Sequence, residues 1–92
     1  MTNPSRDTRW TRDQIRQARM ALLRPLLERA QIEWIDAGAG NYTLPDYPGL
    51  IVKDSYWRWP NREMAGNAID FFVKVQGLTF QQAMKRIIFA EK

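Results

Sequence analysis

Arg12, Arg16 and Arg19 recur at i, i+4 and i+7, so a helix through them would carry three guanidinium groups on one stripe. That stripe is the clearest basic feature of the sequence, and its chemistry is the neutralisation of anions. Catalytic chemistry has no comparable candidate. The chain has no histidine and no cysteine, so the usual general base and the thiol nucleophile are both missing. No glycine-rich loop leads to a phosphate-binding lysine, and the carboxylates form no Asp-x-Asp cluster for a metal ion. Catalysis by this chain alone is not expected, and no cofactor is called for.

The charge is unevenly spread. Residues 1–29 hold seven arginines against Asp7, Asp13 and Glu28, a net of +4, while residues 30–92 hold seven basic and seven acidic groups. A basic arm or helix that meets a polyanion is one reading of this asymmetry. The other is that arginine serves there only as a soluble helix former.

The elements that must position these groups fit one α+β domain of 92 residues. A domain of this size buries only about 60–65% of its unfolded surface, so each of the eleven aromatic residues counts. Met1–Arg9 has no periodicity and reads as loosely attached. Thr11 with Gln14 is a capping box that opens a helix near Arg12, with Ile15, Ala18 and Leu22 on its buried side. Pro25 must kink or break that helix. A break is favoured, with Pro25 as the first residue of a second short helix ending near Gln31. Leu22, Leu23, Leu26 and Leu27 would then all join the core.

Beyond Glu33 the pattern turns to short strands. Glu33–Asp36 and Asn41–Leu44 are β-prone and flank a turn at Ala37-Gly38-Ala39-Gly40. Pro45–Gly49 is a loop of turn formers. Leu50–Lys53 and Tyr56–Trp59 form a hairpin about Asp54-Ser55, and Arg62–Ala65 is a loop. Alternation along the hairpin puts Trp57 and Trp59 on one face, Tyr56 and Arg58 on the other. Two tryptophans sharing a strand face are more simply core than ligand platform. Two helices follow. Asn67 caps the first, with the Asp70 carboxylate three residues later meeting the exposed amides and the positive helix end, and Ile69, Phe72 and Val73 as its apolar stripe. Gly77 is its left-handed C′ residue. Thr79 with Gln82 opens the second, which turns Phe80, Ala83, Met84, Ile87 and Ile88 toward the core.

Gly66-Asn-Ala-Ile-Asp-Phe71, then Gly77-Leu-Thr-Phe80 and Gln82-Ala-Met84, resemble the end of the zinc-binding ribbon of bacterial DNA primases. That small domain precedes a Toprim catalytic core. Gly49-Leu50-Ile51-Val52 is similar to the family's third strand, and Tyr56-Trp57-Arg58-Trp59 to the strand leading into its second ligand pair. The resemblance covers about residues 26–90 and is densest over Gly66–Ala83. The chain departs from the family at the metal. The second ligand pair falls on Trp59 and Arg62, and the first near Gly40–Thr43, where there is no thiolate or imidazole for zinc. A zinc-ribbon-like but metal-free sheet is the fold this implies, with aromatic burial in place of the metal. N-terminal helices and a C-terminal helix pair would pack on it.

In primases the open sheet face, lined by aromatic and basic residues, is implicated in contacting single-stranded template. The resemblance therefore implies a nucleic-acid role for Lys53, Tyr56 and Arg58, with Arg62 beside them. An aromatic ring stacks on a base and the cations neutralise phosphate. Arg58 has another reading, as an ion-pair partner of Asp54 or Glu63. The function expected is an accessory module binding single-stranded DNA in primase-related replication of a plasmid or mobile element. A Toprim or primase catalytic domain, or a replicative helicase, would be its protein partner. The alternative is a docking module for such a partner that binds no DNA itself, and a catalytic remnant ranks third. No apolar run approaches membrane-spanning length and the N-terminus is polar, so a cytoplasmic location without membrane contact is the expectation.

Overall fold

Thr11 accepts from the Gln14 amide while the Gln14 side chain accepts from the Thr11 amide, and this reciprocal cap opens the first helix of the structure, a computed structural model describing residues 10–89. The segment Met1–Arg9, expected to be loose, lies outside the described residues. Helix α1 (Arg12–Arg19) buries Ala18, half-buries Ile15 and leaves Arg12, Arg16 and Arg19 exposed.

The chain does break before Pro25, but earlier than expected. Helix α2 (Leu23–Arg29) takes Pro25 as its third residue, not its first. A proline there removes no intrahelical hydrogen bond, because the first-turn amides have no partner within the helix. Leu22 becomes the N-cap and is 57% exposed, which corrects its assignment to the core. Leu23, Leu26 and Leu27 are buried, and the Leu23 amide donates to the Asp54 carbonyl at 2.9 Å, tying α2 to the hairpin turn. The helix ends at Arg29. Gln31 then takes the left-handed region (φ 59°), and the Ile32 amide reaches back to the Leu27 carbonyl at 2.8 Å, a Schellman closure without glycine.

Five antiparallel strands follow as a meander in sequence order: β1 (Ile35–Gly38), β2 (Asn41–Thr43), β3 (Ile51–Lys53), β4 (Tyr56–Trp59) and β5 (Met64–Gly66). Two expectations are corrected. The first strand lies two residues further on than Glu33–Asp36, with a bulge between Asp36 and Gly38, so only Ala39-Gly40 is turn. The expected loop at Arg62–Ala65 is part 3₁₀ turn (Pro60–Arg62) and part strand. Glu63, in the left-handed region, turns the chain back along β4, so that Trp59 faces Met64 and Trp57 faces Gly66. Pairing with β4, rather than any β-propensity of Met-Ala-Gly, makes β5 a strand.

The pleat separates the sheet into two faces. Tyr42, Val52, Trp57 and Gly66 form a cross-strand row on the inner face, where Val52 and Trp57 are fully buried. Against that face pack the buried leucines of α2, the paired phenylalanines Phe71 and Phe72, and Met84. Helix α3 (Ala68–Asp70) is capped as expected by Asn67 and Asp70. It widens over Phe71–Val75, where the Gln76 amide bonds the Phe71 carbonyl five residues back. Phe71 joins Phe72 in the core, and Val73 is only half-buried. Gly77 is left-handed as expected. Helix α4 (Phe80–Ile88) buries Ala83, Met84 and Ile87. Its Phe80, expected inside, is 43% exposed, and Ile88 is half-buried.

One close approach accounts for the glycine of the Gly66 motif. A Cβ at residue 66 would lie 2.5 Å from the Asp70 Cβ, inside contact distance of a side chain held by its capping bonds. The Asn67 carbonyl beside it accepts the Trp57 indole N–H at 2.8 Å, which locks β4 to the start of α3.

Candidate nucleic-acid interface

The sheet's outer face is where the expected hairpin residues meet. Lys53 stands directly opposite Tyr56, and Arg58 is two residues along the same strand from Tyr56 on the same face. Tyr56 is 49% exposed, and both cations are exposed. Among the described residues neither Lys53 nor Arg58 pairs with a carboxylate, so the expected alternative of an Arg58 bridge to Asp54 or Glu63 is not realised. The alkyl arm of Lys53 passes over Gly40, its Cε 3.8 Å from the position a Cβ there would take.

Register extends this group into two rows. One runs across all five strands as Ile35, Thr43, Ile51, Arg58 and Ala65. The other runs Asn41, Lys53 and Tyr56. These eight outward positions hold two cations and no carboxylate, in a chain with ten carboxylate side chains. Ile35 is 55% exposed and Ile51 half-buried, leaving apolar surface between the charges. The arrangement offers an aromatic ring, two cations that no carboxylate pairs among the described residues, and apolar surface between them.

The other expected residues lie elsewhere. Arg62 is in the 3₁₀ turn, with its Cζ 4.6 Å from the centroid of the Trp59 ring, and Trp59 belongs to the buried face. Arg62 is thus not beside Tyr56 and Arg58, which corrects its place in the group. Arg12, Arg16 and Arg19 sit on α1, which packs on α3 and α4 in the layer covering the inner face. Arg19 borders a shallow groove with Ile15, Asp70 and Phe80. The seven residues therefore form three separate groups.

Trp57 and Trp59 are core, as the simpler reading had it. Trp57 meets Phe71 edge-on at 6.1 Å, and Trp59 meets Tyr47 edge-on at 5.9 Å while donating its indole N–H to the Pro48 carbonyl. Two features were not anticipated. The apolar contribution of Ile35 and Ile51 follows only from five-strand register. The second is a cluster at the far end of the inner face, where Arg24 lies 5.7 Å from the Trp34 ring and 5.9 Å from that of Tyr42. Those two rings meet edge-on at 4.9 Å. The signal for it was the parity of Trp34 with Asp36, opposite Tyr42.

Comparison of the chain with protein-family models, with characterised proteins and with solved structures returned no match. Among the described residues no helix is long and apolar enough to cross a membrane.

Proposed function

We propose that this chain is a nucleic-acid-binding accessory module whose outer sheet face takes single-stranded DNA, without catalysis of its own. The observation that carries the reading is the pairing of Lys53 with Tyr56, and of Arg58 with Ile51, on an outer face whose eight paired positions hold no carboxylate. Tyr56 stacks on a base, and the two cations neutralise the adjoining phosphates. A duplex is a poor ligand for such a surface, since its bases are already stacked on one another. The resemblance of Gly66–Ala83 to the primase ribbon supports a setting in cytoplasmic, primase-related replication of a plasmid or mobile element. A primase catalytic domain or a helicase would then be the working partner.

Fluorescence anisotropy with labelled single-stranded and duplex DNA at two salt concentrations tests this. Tighter single-strand binding that weakens with salt is the expected result. Absence of binding at low salt would remove the reading.

A docking role is favoured by a different observation, an apolar groove of about 770 Å³ at the α1–α2 corner. Met20 and Leu22 line it at 68% and 57% exposure, with Ile87 and Ile88 opposite. Capture of a replication protein after nuclease treatment, abolished by Leu22→Asp, would support docking over DNA binding.

A further inference from the structure

We infer that the site is short and has a second base-stacking position on Ile51, so that it seats about two or three unpaired nucleotides across the strands of the sheet. The inference rests on the nucleic-acid reading above and adds to it the size of the ligand and the residue that completes its seat.

The argument is one of register. Ile51 is the centre of the outer face. Thr43 and Arg58 are its direct cross-strand neighbours, Lys53 is two residues along its own strand, and Tyr56 lies on the diagonal. A diagonal neighbour is within reach of an aromatic ring, at about 7–8 Å. A base stacked on Tyr56 therefore has the Ile51 side chain beside it at the same height above the sheet. The next base along the strand can lie flat on that side chain. Ile51 is half-buried and flanked by two cations that no carboxylate neutralises among the described residues, so an anionic backbone carrying flat apolar bases is the ligand whose chemistry matches both features. A third position exists at Ile35, in the same row beyond Thr43. From β4 to β1 the face is three strand spacings wide, about 14 Å. Open four-stranded faces of comparable width seat about two or three bases in other single-strand binders.

Charge sets a matching limit. Among the described residues only Lys53 and Arg58 are cationic in the paired positions of this face, which corresponds to about two phosphate contacts. For single strands that corresponds to a log–log salt slope of about −1.4. The arginines of α1 lie in the other layer and do not contribute to a ligand this short.

The test is a length series of labelled oligothymidylates of two to twelve nucleotides, titrated by anisotropy against the whole 92-residue chain. The expected result is affinity that rises steeply to about three nucleotides and then only in proportion to the number of overlapping registers. Ile51→Thr, which keeps a β-branched residue in the strand, lowers trinucleotide affinity roughly three- to tenfold with an unchanged salt slope. Ile35→Thr provides a second probe should the Ile51 variant melt early in thermal unfolding, and lowers affinity for three nucleotides but not for two. Affinity that keeps climbing steeply beyond eight nucleotides overturns the short site while leaving nucleic-acid binding intact. Full affinity in both isoleucine variants, alongside loss in Tyr56→Ala, overturns the second stacking position. No binding at any length overturns this inference together with the reading beneath it.

Discussion

Arg62 stands over the ring of Trp59, its guanidinium carbon 4.6 Å from the ring centroid. These are the two positions onto which the primase-ribbon resemblance puts the second pair of metal ligands. The Trp59 indole N–H, bonded to the Pro48 carbonyl at 3.0 Å, fastens this cation–ring contact to the loop before β3. Arg62→Ala is expected to cost about 0.5–1 kcal/mol of stability, the range for an exposed cation–π contact. That corresponds to a few degrees in Tm for a domain of this size. Affinity for a short single strand should be unchanged. Thermal unfolding and anisotropy on the same variant check both halves.

Tyr56→Ala should weaken single-strand binding by about 1–3 kcal/mol, roughly five- to 150-fold, with little change in Tm because the ring is half exposed. Tyr56→Phe keeps the stacking surface and should bind nearly as the parent does. A common loss in both variants would show the hydroxyl, not the ring, to be the contact.

Salt dependence separates the basic groups. Arg58→Ala should flatten the log–log salt slope for short single strands by about 0.7, one phosphate contact. The triple change Arg12→Ala, Arg16→Ala, Arg19→Ala should leave that slope unaltered for trinucleotides, since those side chains belong to the other layer. A fall in trinucleotide affinity on neutralising the α1 stripe would place the ligand on the helices instead.

Gly66→Ala should destabilise by about 2–4 kcal/mol, the sum of a steric clash and a lost helix cap. The added methyl meets the Asp70 side chain, which cannot move without giving up its bond to the Asn67 amide. Asn67→Ala, which removes the cap without the clash, should cost only about 1 kcal/mol. Urea denaturation of the two variants measures the difference. Equal losses would mean that strand β5 shifts to absorb the methyl group.

Leu22→Asp is expected to stabilise, although it replaces a leucine by a charge. Leu22 is an exposed N-cap with extended backbone and no capping side chain, and Asp there can accept from the Arg24 amide beside the positive helix end. The gain should be about 0.5–1 kcal/mol, modest because Pro25 offers no amide at the third position. A marked loss of stability would restore Leu22 to the core.

The parts of this fold governed by neighbours in sequence were readable from it. The capping boxes at Thr11 and Thr79, the N-cap at Asn67, the left-handed Gly77 and the two faces of Tyr56–Trp59 depend on offsets of one to four residues. The parts set by pairing at a distance were not. Met64–Gly66 is a strand because Trp57 and Trp59 need a partner, and nothing in Met-Ala-Gly announces it. Pro25 marked a break but not its exact place, since a proline is tolerated anywhere in the first turn and the Leu23–Asp54 bond decides the start. The candidate site was legible to the extent that alternation and resemblance reach: Lys53, Tyr56 and Arg58 share a face. The separation of Arg62 from them depends on the turn at Glu63, and the place of Ile35 depends on the register of strands far apart in the chain.

The N–H of the Trp10 indole bonds the Gln81 side chain at 2.9 Å, and the Trp10 ring lies 6.0 Å from that of Phe89. The first and last described residues are therefore neighbours, although the meander between them makes every strand pair with the next in sequence. The protein is for that reason suited to circular permutation. Joining Phe89 to Trp10 by a short linker and reopening the chain at Ala39-Gly40 would keep each strand pair while placing the new ends at the rim of the outer face. A dye or a second nucleic-acid-binding module fused at that rim would sit next to Lys53, whose alkyl arm already passes over Gly40.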